Sequence, residues 1–182
     1  NTLNHFLQKT KHVNEIIYLH QSGISFIPAS PSLEQYQKTN PQKLTEIFDH
    51  LDGMADIVLI DAPSGLGFEV NHVLKNTDEV LVVVNPTLSS VMEGLKTIQL
   101  AENNNNTIAG VLVNMSHNDR HELKIKEMEQ ILGHKIIGNV PYHKKIRKAQ
   151  HQRTPLPHAY PRCAPAREFK RIALHIAHQG LA

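Results

Sequence analysis

Short aliphatic runs alternating with stretches of helical spacing constrain this chain more than any other feature. Asp56-Ile57-Val58-Leu59-Ile60-Asp61, Glu79-Val80-Leu81-Val82-Val83-Val84, Thr107-Ile108-Ala109-Gly110-Val111-Leu112-Val113-Asn114 and Lys135-Ile136-Ile137-Gly138-Asn139-Val140 all read this way. A strand with one wet face alternates apolar and polar residues, so these runs require a sheet covered on both faces. Parallel strands need long crossovers, and the helical stretches between the runs supply them. The pattern predicts an α/β fold, with a mostly parallel sheet flanked by helices.

Gly23-Ile24-Ser25-Phe26-Ile27 reads as a further strand, stopped by Pro28, which cannot donate to a ladder. Pro41 stands at a helix start, followed by Leu44, Ile47, Phe48 and Leu51 at helical spacing. Helices are also expected over 68–75, 90–102 and 119–132, the last capped by Gly133. A basic helix after Pro141 and a closing helix over 165–178 complete the series. Asn103-Asn104-Asn105-Asn106 is a polar connection, and the proline-rich stretch 152–165 reads as an extended loop. No internal repeat is present, and residues 1–182 read as a single domain.

Net charge is +2 with His neutral, which implies no strongly acidic or basic partner for the chain as a whole. The 13 His residues would add positive charge near pH 6. A single cysteine, Cys163, forms no internal disulfide and cannot alone hold an iron–sulfur cluster or zinc, so a reducing compartment is expected. No apolar run has the length of a transmembrane helix.

In open parallel sheets ligands sit at the carboxyl ends of strands, which selects Asp61, Asn85 and Asn114. A carboxylate on a strand tip is what a phosphate-transferring site uses to hold Mg²⁺ and its water. Glycines after it let backbone N–H groups approach a phosphate closely. Alone, such an Asp more often caps a turn; the complete heptapeptide Asp61-Ala62-Pro63-Ser64-Gly65-Leu66-Gly67 is more specific.

Val58-Leu59-Ile60-Asp61-Ala62-Pro63-Ser64-Gly65-Leu66-Gly67 resembles the Walker B and switch II segment of the MinD/ParA family of ATPases. Residues 79–86 followed by Ser89-Ser90 resemble the next strand and helix start of that family. Gly110-Val111-Leu112-Val113-Asn114 resembles its adenine-facing strand, and Val140-Pro141-Tyr142 with Ile146-Arg147-Lys148-Ala149 its C-terminal segment. The likeness runs in family order over residues 20–178, and the archaeal MinD-like branch is the most similar.

The resemblance implies a P-loop NTPase of the SIMIBI-like type lacking its first βα unit, with ATP and Mg²⁺ as cofactors. It implies that Asp61 is the catalytic residue that holds magnesium through water, and that Gly65 and Gly67 lie near the γ-phosphate. Asn114 would hydrogen-bond adenine, its amide offering both donor and acceptor, and Pro141 would line the base pocket. It further implies an ATP-dependent homodimer, a regulatory protein partner near Ser89-Ser90, a role in positioning the division site or an intracellular cargo, and a location in the cytoplasm or peripheral to the membrane.

One departure matters. Nothing in the chain matches G-x-x-x-x-G-K-[ST], whose backbone N–H groups and lysine cradle phosphates. The start at Asn1 reads as a cut from a longer protein, so ATPase activity is expected of the complete protein and this chain alone is expected to be inactive. A ParA-like DNA-segregation ATPase and a non-catalytic adaptor of the same fold are the alternatives. Iron–sulfur carriers and nitrogenase-reductase relatives need cysteines that are absent.

Other features have plainer readings. His143-Lys144-Lys145-Ile146-Arg147-Lys148 reads as a solvated helix face, with DNA contact less favoured. Phe169, Ile172, Ala173 and Ile176 form an apolar stripe that reads as core packing, and no membrane anchor is evident in the residues after it. His117 with His121, His175 with His178, and Cys163 with His158 are read as neither metal nor catalytic pairs.

Overall fold

The computed structural model describes residues 1–179. Gly180, Leu181 and Ala182 lie outside the described residues, and with them the expectation about a terminal anchor; so do the side chains of Pro41, His178 and Gln179. The chain divides into two compact units, residues 1–76 and 77–182.

The first unit contains α1 (Leu3–Leu7), a 3-10 turn (Val13–Glu15), a hairpin of β1 (Tyr18–Leu19) and β2 (Ser25–Phe26), and α2 (Leu33–Lys38). A second 3-10 turn (Pro41–Lys43) leads into α3 (Leu44–Leu51), and α4 (Phe68–Leu74) closes the unit. Phe6, Leu7, Ile16 and Ile47 form its core, with Phe48 and Leu51 packed against it, as the spacing on α3 predicts. Asn4 is buried yet satisfied: its amide donates to Thr39 Oγ1 at 2.9 Å and its carbonyl accepts the Ser30 N–H at 2.8 Å.

Two expectations fail in this unit. The strand read over 23–27 shrinks to Ser25–Phe26, because Gly23 has φ +87° and its N–H closes a turn onto the His20 carbonyl at 2.9 Å. The run 56–61 is not a buried strand. Ile57 and Val58 are 46% exposed and Leu59 81%, and no strand pairs with the run among the described residues. Aliphatic composition favours a strand, but only a hydrogen-bonded neighbour makes one.

The second unit is a three-stranded parallel sheet in the order β3 (Glu79–Val84), β4 (Thr107–Ser116), β5 (Ile136–Pro141). The crossovers are α5 (Leu88–Asn103) and α6 (Ile125–Leu132), and α7 (Lys144–His151), α8 (Leu156–Ala159) and α9 (Ala164–Gln179) follow. Alternate residues of β3 and β4 serve opposite faces. Val82, Val84, Val111 and Val113 pack with Val91 and Ile98 of α5 and Met128 and Leu132 of α6. Leu112 and Val140 pack on the other face with Ile172 of α9. The stripe on α9 is therefore core at Ile172, while Phe169 and Ala173 are exposed.

Close approach explains two glycines. A Cβ on Gly94 of α5 would meet Val84 Cγ1 at 2.5 Å, and one on Gly138 of β5 would meet Ile172 Cγ1 at 2.6 Å. Thr87 caps α5 by accepting the Ser90 N–H, and Gly133 ends α6 at φ +71° as expected. The helix read over 119–132 begins only at Ile125, because Asp119 Oδ1 accepts the His121 N–H and holds residues 119–121 in a turn. The loop read over 152–165 contains the four-residue α8, which starts behind Pro155. Among the described residues no helix is long and apolar enough to cross a membrane.

Candidate functional site

Parallel register brings two of the expected site residues together in the second unit. Asn114 pairs with Val140 and Ser116 with Pro141, so Asn114 and Pro141 stand at the carboxyl ends of neighbouring strands. The register shifts between Asn114 and Ser116, where Met115 adopts φ +57°. This bulge ends regular pairing and turns the local backbone at the rim of the sheet. Asn114 Oδ1 accepts the Met115 N–H at 2.9 Å. The Nδ2 amide of Asn114 makes no hydrogen bond among the described residues, and the side chain is half-buried.

The same rim carries an aromatic pair that sequence reasoning missed. The His117 imidazole stacks on the Tyr142 ring with centroids 4.6 Å apart and planes inclined by 21°. The Tyr142 N–H donates to the Ser116 carbonyl at 2.8 Å, which fixes the two chain segments side by side. Glu122 holds the loop below: it accepts the His117 N–H at 2.7 Å and the Asp119 N–H at 3.3 Å. Those donors, the His117 N–H foremost, hold its carboxyl below the usual carboxylate range. The signal for the stack lay in the equal distance of His117 and Tyr142 beyond their strand ends, which only the β4–β5 register converts into proximity.

Asn85, at the tip of β3, uses its N–H on Ser90 Oγ at 2.9 Å and is committed to the start of α5. Ser89, near the surface expected to meet a regulator, is exposed. His121 Nε2 accepts from Arg120 Nε at 3.1 Å, and Cys163 is buried among Ala149, Leu156 and Ala166. Among the described residues no group of three or more His, Cys, Asp and Glu is arranged to hold a metal.

In the first unit Asp61 is exposed and makes no hydrogen bond or ion pair among the described residues. Gly65 has φ +92° with open space where a Cβ would stand, so its backbone is accessible from that side. Gly67 is the residue before α4. On the first turn of α4, Glu69 accepts a hydrogen bond from the Tyr36 hydroxyl; this lowers the Glu69 pKa and raises that of Tyr36.

Taken separately, each unit offers groups of a kind that nucleotide binding uses. In the second unit the Asn114 amide offers the donor and acceptor that a purine edge needs. In the first unit the exposed Asp61 carboxylate is the type of ligand that Mg²⁺ takes, which keeps most of its waters and binds one or two carboxylates together with phosphate oxygens.

A family model described as ParA, NUBPL iron-transfer P-loop NTPase, matches residues 42–177. An ATP-binding protein of Methanocaldococcus jannaschii is 36% identical over 172 residues, covering 94% of this chain. The chain spans 65% of that relative's length. The structure is similar to the cell division ATPase MinD of Pyrococcus furiosus, with TM-score 0.93 at 23% identity over 98% of this chain and 76% of that one. It is also similar to the septum site-determining protein MinD of Pyrococcus horikoshii, which was solved in complex with Mg-ADP. That match has TM-score 0.91 at 22% identity, over 97% of this chain and 73% of the other. The α/β fold, a parallel sheet flanked by helices, is thus that of the MinD structures.

Proposed function

We propose, from the premise that the chain belongs to the ParA family of P-loop NTPases, that the complete gene product is an ATP-dependent switch of the MinD type that positions the division site or another intracellular cargo. The observation that supports this reading is the register of β4 and β5, which brings the half-buried Asn114 and Pro141 to the carboxyl ends of neighbouring strands. Adenine would lie there, with Asn114 Nδ2 donating to a ring nitrogen and the second lone pair of Oδ1 accepting from the exocyclic amine.

Asp61 would hold a water of the magnesium ion, and the open backbone at Gly65 would turn an N–H toward the terminal phosphate. The ion would neutralise charge that develops on the phosphoryl oxygens; the protein residues position and desolvate. The remaining phosphate ligands would come from a glycine-rich, lysine-bearing loop elsewhere in the complete protein. The exposed aliphatic run at Ile57, Val58 and Leu59 supports that view, since such a run is stable once a further strand covers its edge. Residues 1–182 would then form one nucleotide-binding domain with that segment.

ATP would join two subunits through the segment around Gly65 and Gly67, and hydrolysis would release them. Sedimentation of the complete gene product tests this: a dimer is expected with Mg-ATP and a monomer with Mg-ADP. A sedimentation coefficient indifferent to nucleotide would overturn the switch and leave an adaptor.

A further inference from the structure

Charge is divided unevenly along this chain. Residues 143–182 carry nine Lys and Arg against one carboxylate, Glu168, whereas residues 1–142 carry ten against sixteen Asp and Glu. The one acidic group of the cationic segment is already engaged: Glu168 bonds Arg171 and the Asn139 N–H. Lys144, Arg147, Lys148, Arg167 and Lys170 are exposed and form no ion pair among the described residues.

An apolar groove of about 710 Å³ lies between α7, α8 and α9, with two of those cations in its lining. Its floor is Ala149, Leu156 and Ala166, all buried, and Phe169, 40% exposed, stands on its wall. Arg167 and Lys170 line it, and no acidic side chain does. Among the described residues of the unit, then, a concave hydrocarbon surface is left open, and the only charged side chains lining it are cations.

We infer that this groove docks an acidic amphipathic helix of a protein partner. The occupant's apolar stripe, at positions i, i+3, i+4 and i+7, would fill the groove, and its carboxylates would face Arg167 and Lys170. Three physical points select this occupant. The walls are helices with no free strand edge, so an extended peptide would leave its backbone unpaired where a helix satisfies its own. A bilayer presents a broad surface and cannot enter a concavity that side chains can. Nucleic acid would use the cations but leave the apolar floor uncovered.

The test uses fluorescence anisotropy of labelled 16-residue helical peptides with the full chain. A panel would carry Leu, Ile, Met or Phe at the stripe positions and Glu elsewhere, each with a composition-matched scramble that lacks the stripe. At least one striped peptide should bind about tenfold or more tightly than its scramble, and added salt should weaken it. The double variant Arg167→Glu, Lys170→Glu should lose about tenfold in affinity, while Lys75→Glu, Lys126→Glu, equal in charge change and remote in sequence, should bind as the parent. Circular dichroism melts would confirm that both variants fold; should the first fail to fold, Arg167→Gln, Lys170→Gln takes its place with the same expectation. Equal binding of striped and scrambled peptides across the panel would overturn the inference. So would equal losses in the two double variants, or a sensitivity to Arg167 and Lys170 seen only with phosphatidylserine vesicles or duplex DNA. None of these readouts depends on ATP, so the inference stands or falls apart from the proposed nucleotide site.

Discussion

Asn114 and Asp61 are the residues on which the nucleotide reading depends, and each predicts a different kinetic signature. Asn114→Ala removes one donor and one acceptor at the rim of the sheet. In the complete protein it should weaken ATP binding about tenfold, from contacts worth about 1–2 kcal/mol. It should also blunt discrimination between ATP and GTP, which competition binding would measure. Asp61→Asn keeps the shape but loses the charge that would hold the hydrated ion. It should cut ATP turnover about 100-fold, the equivalent of about 2.7 kcal/mol, with a smaller change in nucleotide affinity. Phosphate release and equilibrium binding separate the two effects. The placement of Asn114 and Pro141 at strand ends was legible in the sequence because each ends an unmistakable aliphatic run. The His117–Tyr142 stack was not, because it exists only through the β4–β5 register and the bulge at Met115.

Among the elements, β5 and α9 are joined by a pair of side chains that finish a sheet edge. Glu168 accepts the Asn139 N–H at 2.7 Å, and Arg171 donates to the Ile137 carbonyl at 2.6 Å, so α9 satisfies backbone groups of β5 that no strand pairs with among the described residues. The Arg171 guanidinium, helped by that N–H, holds the Glu168 carboxyl below its usual range. Its folded pKa is therefore lower than the unfolded value of about 4.3. The stability it contributes is fully present above that value and is lost as pH falls through the folded pKa. Glu168→Gln should cost about 1–2 kcal/mol at neutral pH and flatten the acid limb of a stability–pH curve measured by denaturant unfolding. Gly94 makes a second prediction. Alanine would gain up to about 1 kcal/mol of helix propensity, but its Cβ would meet the stiff, buried Val84 side chain. Overpacking at about 1–3 kcal/mol wins, so Gly94→Ala should lower the urea midpoint.

Legibility followed the same physics. The parallel strands and crossovers of the second unit were readable because both faces of β4 are covered and its sequence shows it. The run 56–61 misled, since composition reports what a strand prefers and says nothing of whether a neighbour is there to pair. Residues 119–124 misled through side-chain bonds that compete with a helix.

At the scale of the whole molecule, family membership and the parallel sheet stand on the match over residues 42–177 and on the MinD structures. The order of strand ends made the family readable. The division of charge between residues 1–142 and 143–182 was equally present in the sequence, but a net charge of +2 conceals it. What joins the two scales is the claim that a nucleotide is bound at the strand ends of the sheet. Titration calorimetry of the complete gene product with Mg-ATP tests that claim most directly, run beside the Asn114→Ala variant. Saturable binding at one site per chain is expected, weakened about tenfold by the substitution. Absence of binding, or binding that Asn114→Ala leaves untouched, would contradict it.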